Sequence, residues 1–103
     1  MTYTFISDSG HGWLSVKVKE LVELGVADKV SPYSYVNGRS AYLEEDCDLG
    51  LFYEAYVAKH GKPPVIVSGK HYDRWSGRNY RSYNANNVEW CSGINVVGTT
   101  IEV

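Results

Sequence analysis

Cysteine is scarce in this 103-residue chain: Cys47 and Cys91 are the only two, and their spacing is not that of a metal-binding cluster. In a reducing compartment both are expected as thiols rather than as a disulfide. No apolar segment of signal-peptide type follows Met1, and no apolar run approaches bilayer-spanning length. The expectation is a cytoplasmic chain without membrane contact. Ser68-Gly69-Lys70 lacks the spacing of a phosphate-cradling P-loop. A uniform basic footprint of the kind that binds duplexes is also missing, since the formal charge is −2. Residues 1–60 hold nine Asp/Glu against five Lys/Arg, and residues 61–103 hold five Lys/Arg against three Asp/Glu, so the chain is acidic first and basic later. Internal repeats and low-complexity tracts are absent. The length suits one domain with a modest core.

What the chain has in excess is tyrosine: nine, with three tryptophans, in an otherwise ordinary 44% hydrophobic composition. Tyrosine joins apolar area to a polar tip, which suits a half-buried sheet or a recognition surface. Asn37-Gly38 lies between Tyr33-Ser-Tyr-Val36 and Arg39-Ser-Ala-Tyr-Leu43, the strongest short-range hairpin signal. A turn centred on Asn37-Gly38 pairs Val36 with Arg39, Tyr35 with Ser40 and Tyr33 with Tyr42. Tyr33, Tyr35 and Tyr42 then share a face that needs a cover. Glu44-Glu-Asp-Cys-Asp48 supplies carboxylates to a helix start. Leu49, Phe52, Tyr53 and Tyr56 follow at helical spacing, and Lys59, His60, Gly61 and Pro63-Pro64 end the helix expected to roof that face.

Thr2 to Ser7 alternates as a first strand, with Tyr3 and Phe5 on one side. Asp8-Ser-Gly-His-Gly12 is a turn. Trp13 to Val16 resumes extended structure before a short helix carrying Val18, Leu21 and Val22 and ending at Gly25. Val65 to Val67 is a short strand, and Val88 to Trp90, Ile94 to Val97 and Thr100 to Val103 read as others. The expected fold class is α+β, a mainly antiparallel sheet with two short helices on one face and a central Asn-Gly hairpin. Residues 1–67 form its compact core, 68–93 an irregular aromatic and basic segment, and 94–103 a C-terminal strand.

Two clusters, Asp8-Ser-Gly-His-Gly-Trp-Leu14 and Tyr42-Leu-Glu-Glu-Asp-Cys-Asp48, with Leu24-Gly25, Tyr33-Ser-Tyr35 and Gly38 between them, carry a resemblance. From about residue 5 to 61 the chain resembles a group of small uncharacterised proteins of tailed phages and prophages. Ser9 stands where that group tends to have proline. The resemblance implies a phage source and action in a bacterial cytoplasm. It brings no catalytic residue.

Asp8, His11 and Cys47 have the residue types of an orienter, base and nucleophile, but a cysteine among carboxylates should keep its proton. The simpler reading of His11 is a Gly-His-Gly turn whose imidazole bonds to backbone or to an acid; Asp8, His11 and Trp13 are kept as turn or recognition residues. Glu44, Glu45, Asp46 and Asp48 suit helix capping, an acidic patch for a basic partner, or a hard cation, though the EF-hand pattern is missing. Lys70, Arg74, Arg78 and Arg81, interleaved with His71, Tyr72, Trp75, Tyr80 and Tyr83, suit a mobile or partner-ordered loop, a protein-binding surface or a single-stranded nucleic-acid site. The expectation is an interaction protein without cofactor, metal or catalytic residues, inhibiting a host protein or defence complex through Tyr72, Arg74, Trp75, Arg78, Tyr80, Arg81, Glu44 and Glu45. A nucleic-acid-binding accessory protein using residues 70–81 is the alternative.

Overall fold

A computed structural model describes residues 2–85. The strands expected beyond Val88, and Cys91, lie outside them. Among the described residues, six strands form one sheet in the order β5-β1-β2-β4-β3-β6. They are β1 (Thr2–Asp8), β2 (Gly12–Lys17), β3 (Tyr35–Asn37), β4 (Ser40–Glu44), β5 (Val65–Tyr72) and β6 (Arg81–Ser82). All neighbours are antiparallel except β1 and β5. Helix α1 (Val18–Glu23) continues from β2, and α2 (Leu49–His60) connects β4 to β5. The fold is α+β, as expected. Among the described residues no helix is long and apolar enough to cross a membrane.

The two faces of the sheet follow from alternation along its strands. Leu14 and Val16 of β2, Ala41 and Leu43 of β4, Val36 of β3 and Tyr3 of β1 are buried on one side, where Phe52 and Tyr56 of α2 and Val18 and Leu21 of α1 join the same core. The Tyr3 and Phe52 rings meet edge-on with centroids 5.1 Å apart. The side chains between, Trp13, Tyr42 and Tyr35, take the other side. Helix α2 therefore does not roof the tyrosine face. A sheet whose β4 reads Ala41-Tyr42-Leu43 has an aliphatic side to bury, and the helix takes that one.

The tyrosine face has another cover. Residues 73–80 return across it, placing Trp75 over Trp13, Tyr42 and Tyr35, with ring centroids at 4.7, 5.0 and 6.3 Å. Tyr80 closes on Tyr42 at 5.4 Å. Of the 68–93 segment expected to be irregular, the described part, 68–85, has regular pieces: β5 runs on to Tyr72, a 3₁₀ turn spans Ser76–Asn79, and β6 pairs with β3; residues 86–93 lie outside the described residues.

The central hairpin exists with a different register. Asn37 pairs with Ser40, Val36 with Ala41 and Tyr35 with Tyr42, leaving Gly38 and Arg39 as the loop. Gly38 has φ +61°, suited to a tight hairpin turn, while Asn37 belongs to the strand. The displacement is two residues, so the faces are unchanged, and Val36 packs against small Ala41 instead of facing Arg39. Tyr33 lies before β3 and is 70% exposed, outside the expected ladder.

Asp48 stands at the start of α2 but makes no side-chain capping bond. Its buried carboxylate accepts from Ser31 N and Oγ, at 3.0 and 2.7 Å, and from Ser34 Oγ. It fixes the 31–34 loop against the helix instead.

Candidate functional site

Asp8, at the end of β1, organises this side of the molecule. Its Oδ1 accepts from Gly10 N at 2.9 Å and His11 N at 3.1 Å, closing the turn into β2. Arg78 donates to both oxygens, Nε to Oδ2 at 2.6 Å and Nη2 to Oδ1 at 2.9 Å, and Trp75 N donates to Oδ2 at 3.0 Å. The Arg78 guanidinium, helped by the three backbone N–H groups, holds this carboxyl well below the usual carboxylate range against the opposing effect of burial. One side chain therefore ties the 8–11 turn to the 73–80 roof, and Arg78 also lies 5.0 Å from the centre of the Trp13 ring.

Gly12 admits no side chain, because a Cβ there would overlap the Phe5 ring. Its carbonyl accepts from Glu45 N at 3.0 Å, extending the β2–β4 ladder beyond the Trp13–Glu44 pair. That extension brings the turn cluster to the acidic cluster. Glu44, with a side chain 8% exposed, spends Oε1 on Asp46 N and Cys47 N at 2.8 and 3.0 Å, and turns Oε2 to His11 Nδ1 at 3.0 Å. The His11 turn with its imidazole bonded to an acid is as expected. Glu44 also donates its N–H to Ser34 Oγ at 3.0 Å.

The result is a recess of about 310 Å³ lined by His11, Trp13, Tyr33, Tyr35, Glu44, Asp46, Cys47 and Arg78. Ligand atoms of His11, Glu44 and Asp46 lie within 4.8 Å of one another. Partial loss of water pushes the Cys47 thiol up; since the residue is exposed, the Glu44 hydrogen bond and the charges of Glu44, Asp48 and Asp46 are the firmer causes. All act against a thiolate nucleophile, although Cys47 and His11 share a wall.

Several residues singled out from the sequence have other work. Trp75 is 5% exposed and is the centre of the roof, so it is not a free partner-binding side chain. Arg78 is committed to Asp8 and Glu44 to its turn. Tyr80 packs on Tyr42. Arg74, Arg81 and Glu45 are exposed, and Tyr72 is half-buried at the end of β5 beside Lys70, whose Nζ is 5.4 Å from its ring centre. Tyr33 and Tyr35 were not among the expected contact residues, and Asp46 and Cys47 entered only through the acidic-patch, cation and nucleophile readings. The β2–β4 pairing is the signal that would have found them, since it sets His11 beside Glu44 and Glu45. No protein-family model matches the chain, and no curated protein or solved structure does.

Proposed function

We propose that this is a phage-encoded accessory protein of the bacterial cytoplasm that binds a host protein or defence complex and inhibits it, with the rim of the recess as its contact face. The carrying observation is the concentration of exposed contact chemistry there: Tyr33, 70% exposed, stands with exposed His11, Asp46 and Cys47 around one concavity, and Glu45, next to Asp46 in the chain, is exposed outside it. Aromatic area with few rotatable bonds anchors interfaces, and exposed carboxylates steer a basic target, such as the nucleic-acid-binding site of a host enzyme. The sheet and its aromatic roof supply the rigid base such an anchor requires. Capture of the host target by Tyr33→Ala and Glu45→Lys variants tests this. Loss in both with an unchanged thermal transition supports the rim; full capture by both removes it.

The nucleic-acid alternative keeps Lys70, Tyr72 and Arg74 near the end of β5, but Arg78 is neutralised by Asp8. A few exposed cations imply weak, salt-sensitive binding. Absence of oligonucleotide binding at low salt rejects it.

A further inference from the structure

We propose that the floor of the recess is a binding site for a divalent transition metal of the zinc class, with His11 Nδ1, Glu44 Oε2 and the Asp46 carboxylate as ligands. This goes beyond the partner reading and does not depend on it. His11 Nδ1 and Glu44 Oε2 are 3.0 Å apart, and two atoms bound at about 2.1 Å to one zinc ion are separated by about 3.0 to 3.4 Å. Their hydrogen bond can therefore open into two metal bonds with little movement. Asp46, exposed on the adjoining turn, swings to complete a set already within 4.8 Å.

The supports of that set are in place without the ion. Glu44 Oε1 is held by Asp46 N and Cys47 N, so the carboxylate has one oxygen left and a fixed aim. The backbone of His11 is pinned by Asp8, itself pinned by Arg78. Fixed outer partners of this kind set ligand geometry and affinity. An imidazole with two carboxylates suits a borderline transition ion better than calcium or magnesium, which prefer all-oxygen shells. The Trp13 side chain, 1% exposed, forms part of the recess wall and keeps it apolar beside the three ligands.

The test uses tag-free, full-length protein, zinc titrated against a chromophoric chelator, and cobalt spectroscopy. One ion per chain is expected, with affinity reduced at least about tenfold in His11→Ala and in Asp46→Ala and unchanged in His71→Ala. The urea midpoint of metal-free Asp46→Ala should match the parent, because that side chain is exposed, and that of metal-free His11→Ala should fall only by the loss of its bond to Glu44. The cobalt complex should show ligand-field bands without a thiolate charge-transfer band. No one-to-one uptake, equal affinity in both ligand variants, loss in His71→Ala instead, or a charge-transfer band abolished by Cys47→Ser would each overturn the assignment. Target capture and zinc uptake are read separately: capture by a protein that takes up no zinc in the titration leaves the rim reading standing and ends this one, while zinc uptake beside rim variants that capture normally does the reverse.

Discussion

The two faces of the sheet are held by different physics. On one, aliphatic side chains of β2, β3 and β4 and the Tyr3 ring are covered by Phe52 and Tyr56, and apolar area removed from water carries the stability. On the other, three aromatic rings, Trp13, Tyr35 and Tyr42, are covered by a segment that stays down because Asp8, with a side chain 1% exposed, gathers Arg78 and three backbone N–H groups. The first face should respond to side-chain volume and the second to charge. The candidate site sits on the second because only there does a turn bonded to a buried ion meet the acidic end of β4.

Cutting into each face separates them. Phe52→Ala should cost the most, about 3 to 5 kcal/mol in urea unfolding, and the cost should be the same at neutral and acid pH. Arg78→Gln leaves the Asp8 carboxylate without its counter-charge and should cost about 3 kcal/mol at neutral pH. Its cost must shrink in acid. The folded chain holds the Asp8 carboxyl far below the value of about 4 in the unfolded chain, so its stabilisation is present above that pH. It drains away as pH falls, because the unfolded state takes up the proton first. Equal pH dependence in the Phe52 and Arg78 variants would erase the distinction.

Alkali acts with the opposite sign. Burial, and then the charge of Glu20, push the Tyr3 phenol up to about 12, so its contribution is complete below pH 10 and is lost as pH rises towards that value. Tyr3→Phe should remove that share of the alkaline loss at a cost of about 1 kcal/mol for the bond to Glu20. Tyr42, raised by burial and by Tyr80, keeps its own share. The smallest effect on stability, within about 0.5 kcal/mol, is expected for Tyr33→Ala, which sits on neither packed face and should change only target capture.

Much of the first face was legible from local pattern. Alternation in Thr2 to Ser7, helical spacing from Leu49 to Tyr56 and the Gly61-Lys-Pro-Pro stop are short-range signals, and each marks an element that exists. The hairpin was legible as a hairpin but not in register, because Asn-Gly turns do not say which residue enters the loop. The pairing of β4 with β2 decides it, placing Ala41 beside Val16 and Tyr42 beside Ser15. The roof was not legible. Residues 70–83 are polar, basic and glycine-containing, the composition of a solvated loop, and the ion pair that folds them down joins residues 70 positions apart. A hint was nonetheless present: a helix covers one side of a sheet, and Leu14, Val16, Ala41 and Leu43 already claimed it, so Trp13, Tyr35 and Tyr42 needed a second cover. The recess was half legible: His11, Trp13, Cys47, Arg78, Glu44 and Asp46 were singled out in separate constellations, while Tyr33 and Tyr35 were passed over as sheet.

Amide hydrogen exchange at Trp75 tests the folded roof most directly, since its N–H donates to the buried Asp8 carboxylate. Exchange as slow as that of central β2 amides is expected in the parent protein, accelerating sharply in Arg78→Gln. Exchange at the free-peptide rate in the parent would mean that residues 73–80 are an open arm, and that neither the aromatic face nor the recess beside it is built as described.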